Sequence, residues 1–231
     1  MSNQPAILLV HGFWGGAANW SKVIVELARQ GHESIRAVEL PLTSLADDVE
    51  RTSKMIAQIG GPVLLVGHSY GGAVITQAGN HPNVTGLVYI AAFAPDTGES
   101  PGGITQQRPP EAAANLEPDS DGYLWIKPEK FRQSFCQDLS ADEALVMAVT
   151  QKAPLAGTFG DQITSAAWAR KPSWYQISSE DRMIHPENQK MMSARLNARK
   201  IVTLAASHAS LASRPTEVAA LIHEAATQPT S

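Results

Sequence analysis

Val63-Leu64-Leu65-Val66-Gly67-His68-Ser69-Tyr70-Gly71-Gly72-Ala73-Val74-Ile75-Thr76-Gln77-Ala78 is the stretch on which the reading of this chain turns. At its centre is G-x-S-x-G, with Ser69 between Gly67 and Gly71. An apolar, strand-like run enters the motif and a small-residue helical run leaves it. Strand, tight turn and helix is the setting in which this pentapeptide forms a nucleophile elbow. The turn forces its central residue into a strained backbone conformation and lifts the hydroxyl above the sheet edge. Residues two places away must be small, or their Cβ atoms would collide across the turn, and Gly67 and Gly71 meet that need. The bare pentapeptide arises by chance in about one chain in fifteen of this length at ordinary glycine and serine frequencies. The flanking strand and helix therefore carry the signal, against the plainer reading of an idle serine in a glycine-rich turn.

A serine hydroxyl is a poor nucleophile at neutral pH and needs a base, which in turn needs an orienting acid. Of seven histidines, His208 follows the strand-like run Ile201-Val202-Thr203-Leu204 and precedes a helix opened near Pro215, so its loop can reach back to the elbow. His11 and His68 compete, but His11 belongs to the loop after the first strand and His68 adjoins the serine and should point away from it. His32, His81, His185 and His223 read as loop or helix-surface residues. For the acid, Asp181 follows the strand-like Trp174-Tyr175-Gln176-Ile177; Glu180 beside it and Asp96 after an earlier strand are the substitutes. The order Ser69, Asp181, His208 is the one an α/β-hydrolase uses.

On these residues the chain resembles the α/β-hydrolase superfamily over nearly its whole length. It is most similar to the small esterases grouped with plant hydroxynitrile lyases and salicylate-ester-cleaving esterases. The shared pieces are Val10-His11-Gly12, Gly67-His68-Ser69-Tyr70-Gly71-Gly72, Asp181-Arg182 and Ser207-His208. The resemblance implies Ser69 as nucleophile, His208 as general base, Asp181 as its orienter, and the backbone N–H groups of Phe13 and Tyr70 as an oxyanion hole. Two departures bear on activity. The lyases carry a lysine directly after the catalytic histidine, where this chain has Ala209, and a threonine after the first-loop histidine, where it has Gly12. Ester hydrolysis is therefore expected. Acid–base lyase chemistry on the same triad, or a ligand sensor without turnover, are the alternatives, because fold does not fix function.

The rest of the chain agrees with a compact enzyme. At 231 residues and 43% hydrophobic, one core of ordinary size suffices and a single domain over 1–231 is expected. A net charge of −4 with no basic stripe argues against a nucleic-acid partner. No apolar run approaches the ~20 residues of a membrane span, and the polar start of the chain lacks the pattern of a secretory signal. The lone cysteine, Cys136, excludes an internal disulfide and reads as a small buried hydrophobe. A cytoplasmic, metal-free and cofactor-free enzyme acting on a small-molecule ester is expected, its assembly left open between a monomer and a homodimer. Gly12-Phe13-Trp14-Gly15-Gly16 lacks G-x-G-x-x-G, so an oxyanion loop explains it better than a dinucleotide loop.

Periodicity gives alternating strands and helices. Strands are expected at Ala6 to Val10, Ser34 to Val38, Val63 onward, Thr85 to Ala91, Ser173 to Ile177 and Lys200 to Leu204. Helices are expected at Asn19 to Gln30, from Leu45 to Ile59, after the elbow, at Pro186 to Arg195 and at Thr216 to Ala226, with Thr227 to Ser231 as a tail. Such alternation implies a mostly parallel sheet of about six strands with helices on both faces. Between residues 96 and 170 the pattern stops. That stretch opens on Pro/Gly-rich sequence and then turns helical, with Phe131, Phe135 and Leu139 on one face and a Ser140-x-x-Glu143 box starting a further helix. It reads as a cap whose inner face covers the serine. His11, Gly12, Trp14, Trp125, Phe131 and Phe135 are the expected pocket residues.

Overall fold

The computed structural model describes residues 4–228. Its strands are β1 (Ala6–Val10), β2 (Ile35–Val38), β3 (Val63–His68), β4 (Val84–Ile90), β5 (Leu116–Pro118), β6 (Leu124–Ile126), β7 (Ser173–Ser178) and β8 (Lys200–Leu204). Its α-helices are α1 (Ser21–Arg29), α2 (Leu45–Ile59), α3 (Gly71–Ala78), α4 (Pro101–Gln107), α5 (Phe131–Phe135), α6 (Ala141–Val149), α7 (Pro186–Arg195), α8 (Ser210–Ser213) and α9 (Pro215–Thr227). Six strands form one sheet in the order β2-β1-β3-β4-β7-β8, and every pairing in it is parallel. β1 and β3 are buried at every residue, as continuous apolar runs between neighbouring strands and two helical layers must be.

The strand order decides where a ligand can sit. From β1 the chain steps through α1 to β2 on one side, then returns through α2 to β3 on the other. Right-handed crossovers in opposite directions put α1 and α2 on opposite faces of the sheet. On one face α1 packs against α9, and on the other α2 packs against α3. The carboxyl ends of β1 and β3, where Val10 pairs with Gly67, lie at the point where the order reverses. A crevice opens at such a switch point, and the loop after β1 and the elbow after β3 both empty into it.

Local signals fix the elements. The Ser44 hydroxyl accepts the Asp47 N–H at 3.1 Å to start α2, and Gly60 at φ +73° ends it. Ser140 and Glu143 form the reciprocal box that opens α6. The helix expected from Asn19 begins instead as a 3-10 turn, Ala17–Trp20, because the Asn19 side chain accepts the Gly16 N–H at 3.1 Å and caps an earlier start. Thr227 closes α9 rather than opening a tail, and residues 229–231 lie outside the described residues.

The insert between β4 and β7 corrects the sequence reading in two places. Its Pro/Gly-rich entry is helical: Pro101 occupies the first turn of α4, where its missing N–H costs nothing, and the Ser100 hydroxyl caps Gly103 N–H at 3.1 Å. It also holds an antiparallel pair, β5 with β6, registering Leu116 on Ile126 and Pro118 on Leu124. Three-residue strands carry too little alternation to be seen in sequence. The insert is tied to the loop after β1, since Trp14 donates its indole N–H to the Leu124 carbonyl at 2.7 Å and its backbone N–H to Lys152 at 2.9 Å.

Candidate active site

Ser69 stands directly after β3 at φ +55°, a left-handed conformation that a residue with a Cβ avoids unless its surroundings impose it. The surroundings do so. Its N–H donates to the Ile90 carbonyl at 3.3 Å, and its carbonyl accepts from Phe93 and Gly72, both at 3.0 Å. A Cβ on Gly67 would stand 2.6 Å from the Gly71 carbonyl, which is the expected clash across the turn. Gly71 is required for a different reason: its Cβ would meet the carbonyls of Val10 and His11 on the neighbouring strand end. Gly12 completes the close approach, because a Cβ there would lie 2.5 Å from Ser69 Cβ and 3.0 Å from Ser69 Oγ. The loop after β1 is therefore in contact with the serine itself. Among the described residues, neither Phe13 N–H nor Tyr70 N–H has an acceptor within the protein.

Asp181 and His208 come together from the loops after β7 and β8. The His208 Nδ1–H donates to Asp181 Oδ2 at 2.7 Å, and both side chains are fully buried. Asp181 has three further donors. Its Oδ1 accepts Met183 N–H at 2.7 Å and Ile184 N–H at 2.9 Å, and its Oδ2 accepts the Gln189 amide at 2.8 Å. An acceptor-only carboxylate beside Nδ1 fixes the tautomer, leaving Nε2 as the basic nitrogen. His208 Nε2 is buried and has no hydrogen-bond partner. No hydrogen bond joins it to Ser69 Oγ; a bond between base and nucleophile is often long in a ligand-free enzyme and tightens in the substrate complex. Asp96 is exposed and bonds only locally, to Thr97 N–H at 2.7 Å. Glu180 is exposed as well.

His68 points away from the serine, and its Nε2–H donates to the backbone carbonyl of His208 at 2.8 Å. Burial, reinforced by the nearby His208, drives its pKa well below the usual histidine range, so it holds the His208 loop as a neutral donor. Phe135 approaches His208 edge to face, with ring centroids 4.9 Å apart. Phe135 also accepts Ala209 N–H on its carbonyl at 3.2 Å. The insert thus braces the imidazole from outside.

Beside Ser69 lies a cavity of about 40 Å³. Phe13, Trp14 and Phe93 line it from the core, Thr105, Pro110, Ala113, Leu116 and Phe159 from the insert, and Met183 and Ile184 from the loop after Asp181. Apart from Ser69, Thr105 is its one hydroxyl, and that already donates to the Pro101 carbonyl at 2.8 Å. A wider open cleft of about 560 Å³ runs along the outer side of Asp181, but Ser69 takes no part in its wall.

Of the six pocket residues expected from sequence, Trp14 lines this cavity and the other five lie elsewhere. His11 is buried under the loop, where its Nε2 accepts Leu40 N–H at 2.9 Å and its Nδ1–H donates to Gly12 at 2.8 Å. Burial lowers its pKa, as befits a neutral core histidine. Gly12 packs on Ser69 rather than on the cavity. Trp125 turns outward to Asp119, at 2.8 Å from its Oδ2, because it alternates away from the inward-facing Leu124 and Ile126. Phe131 and Phe135 stack on each other at 5.1 Å behind His208. The insert residues that do line the cavity sit in α4, β5 and 3-10 turns, where no apolar period marks an inner face. His32 lies in the loop after α1 but is buried there and pairs with His223 at 3.0 Å. Cys136 is buried, and that burial pushes its thiol up to about 12, so it is an inert core residue.

The fold is that of an α/β-hydrolase. A sequence model of the Alpha/beta hydrolase family matches residues 7–221, and the chain belongs to that family. Among its relatives it is 27% identical to "Probable hydrolase R7" of Phoma sp. over 201 residues, covering 80% of this chain and 81% of that protein. It is 25% identical to "Methylesterase 7" of Arabidopsis thaliana over 256 residues, covering 97% of each. A solved pyrethroid hydrolase from Sphingobium faniae superposes with a TM-score of 0.81 at 23% identity, over 97% of this chain and 98% of that one. Among the described residues no helix is long and apolar enough to cross a membrane, and no cluster of three or more metal-ligating side chains occurs.

Proposed function

We propose that this chain hydrolyses small, apolar carboxylic esters through an acyl-enzyme on Ser69. The observation that carries the reading is His208, whose Nδ1–H is committed to Asp181 while its Nε2 is buried and unpartnered, on a loop bonded to His68, the residue directly before the strained Ser69. In the neutral enzyme Nε2 takes the Ser69 proton as Oγ attacks the ester carbonyl. The imidazolium so formed is stabilised by Asp181, then returns the proton to the leaving alcohol. Water repeats the sequence on the acyl-enzyme and releases the acid. The free N–H groups of Phe13 and Tyr70 receive the tetrahedral oxyanion, each worth about 3 kcal/mol by precedent.

Substrate class follows from the wall. A cavity of about 40 Å³ with aromatic and aliphatic sides and no charged group takes an uncharged acyl or alkyl group of a few heavy atoms. Pockets that hold a whole drug-sized ligand are roughly 300–1,000 Å³, so the larger half of an ester requires the α4 to β5 segment to give way. Lyase chemistry has less support, since the place after His208 is Ala209, which brings no cation.

The test is covalent. An organophosphonate ester probe should add once per chain, and peptide mapping should find it on Ser69. An adduct on another serine, or none, overturns the assignment.

A further inference from the structure

Asp48 is a fully buried carboxylate that the chemistry above does not use. It enters from the first turn of α2. Its Oδ2 accepts the Tyr70 hydroxyl at 2.7 Å and its Oδ1 accepts Leu42 N–H at 2.8 Å. We infer that Asp48 is a positioning residue for the oxyanion hole, acting on both of its donors through the Tyr70 hydroxyl and the ring stacked on it. This rests on the reading that Phe13 and Tyr70 N–H receive the oxyanion.

The chain of contacts is short. The Tyr70 ring lies face to face with the Phe13 ring, centroids 3.9 Å apart and planes 13° from parallel. The side chains of the two donor residues therefore form one stack, although they follow different strands. Phe159 and Trp14 hold the outer side of Phe13, at 4.6 and 5.8 Å. The inner end is held by Asp48, which fixes the far tip of Tyr70. A ring pinned at its hydroxyl and clamped on one face leaves little freedom to the backbone that carries it. Asp48 also holds Leu42, which sits at φ +63° and whose carbonyl accepts Leu155 N–H from the insert at 3.0 Å.

A role in stability alone explains the residue poorly. A carboxylate near a helix N-terminus is favourable, but exposed Asp47 supplies that without desolvation. Burial pushes the Asp48 carboxyl up to about 6, the mark of a charge held at a cost. An apolar side chain there would avoid that cost but could not accept from Tyr70. The return for keeping the carboxylate is therefore placement of the phenol, and with it of the two N–H groups.

The experiment compares wild type, Tyr70→Phe, Asp48→Ala and the double variant, each assayed on a short p-nitrophenyl ester and titrated with an aryl trifluoromethyl ketone. That ketone forms a hemiketal oxyanion on serine and so reports the hole directly. Each single variant should lose kcat by about tenfold to a hundredfold, below the ~10²–10³ for deleting a donor outright. KM should stay within about twofold, and ketone affinity should fall with kcat. The double variant should be no worse than the poorer single one, because both changes cut the same link. Tyr70→Phe keeps the ring stack, so it decides the matter even if Asp48→Ala does not fold. Unchanged kcat and ketone affinity in folded Tyr70→Phe, or additive losses in the double variant, would overturn the role of Asp48 alone. A wild type that turns over esters but binds no ketone would overturn the oxyanion-hole reading and this inference with it.

Discussion

Gly12→Ala is the smallest change that the geometry predicts to be severe. The added Cβ would stand 2.5 Å from Ser69 Cβ, 2.9 Å from the His68 carbonyl and 3.0 Å from Ser69 Oγ, whereas ordinary contact begins near 3.4 Å. Neither partner can yield. Ser69 is pinned through its N–H to Ile90 and through its carbonyl to Phe93 and Gly72, and the His68 carbonyl belongs to β3. The loop after β1 must therefore retreat by about 1 Å, and the Phe13 N–H goes with it. A misplacement of that size in a reacting group costs about 10²-fold, or roughly 2.7 kcal/mol of transition-state stabilisation. The overpacking itself should lower stability by about 1–3 kcal/mol. Initial rates on p-nitrophenyl acetate with urea denaturation on the same preparation separate the two effects. The expected result is a folded protein with kcat reduced about a hundredfold. A folded Gly12→Ala enzyme within about threefold of wild type would refute the placement of this loop as part of the site.

Three further outcomes follow from the same geometry. Asp181→Asn should lower kcat by about 10⁴-fold, since the amide favours the wrong imidazole tautomer, while Asp96→Asn should change it little; the reverse ranking in steady-state assays would move the acid. Asp48 titrates at about 6 in the fold against 3.8 unfolded, so the native state holds the extra proton between those values and wild-type stability should fall by about 3 kcal/mol as pH rises from 3.5 to 6.5. Asp48→Asn should lack this component, and urea midpoints whose wild-type-to-variant difference does not change with pH would contradict it. Phe159→Ala opens the insert side of the cavity and should raise the kcat/KM ratio of butyrate to acetate esters by about tenfold or more; an unchanged ratio would remove Phe159 from the acyl wall.

What the sequence made legible follows from how local each signal is. The elbow, the positions of the sheet strands and the pairing of Asp181 with His208 rest on short motifs joined to continuous apolar runs, and such runs report burial residue by residue. The α2 cap at Ser44 and the box at Ser140 are equally local, and both form. The cavity wall was not legible, because its residues come from a helix hidden behind Pro101, a three-residue strand and 3-10 turns, none of which repeats a period. Aromatic residues drew attention there, yet Phe131 and Phe135 serve to brace His208 and Trp125 faces outward. Gln189 was missed too. A buried glutamine on α7 that bonds both Asp181 and the Ile184 carbonyl looks in sequence like any polar helix residue. Asp48 was hidden for a similar reason: beside Asp47 it reads as half of an acidic first turn, and only the fold turns one carboxylate out and the other in.

Ser69, activated by His208, is proposed to carry an acyl group from ester to water. The most direct measurement mixes the protein with p-nitrophenyl acetate in the absence of added metal or cofactor, follows nitrophenolate release, and reads the quenched protein by intact mass. The account predicts steady turnover, a transient mass increase of one acetyl mapped to Ser69, loss of both in Ser69→Ala, and negligible cleavage of mandelonitrile. Wild-type release no faster than Ser69→Ala, together with tight binding of a small apolar ligand, would contradict it and identify a binding protein built on a hydrolase fold.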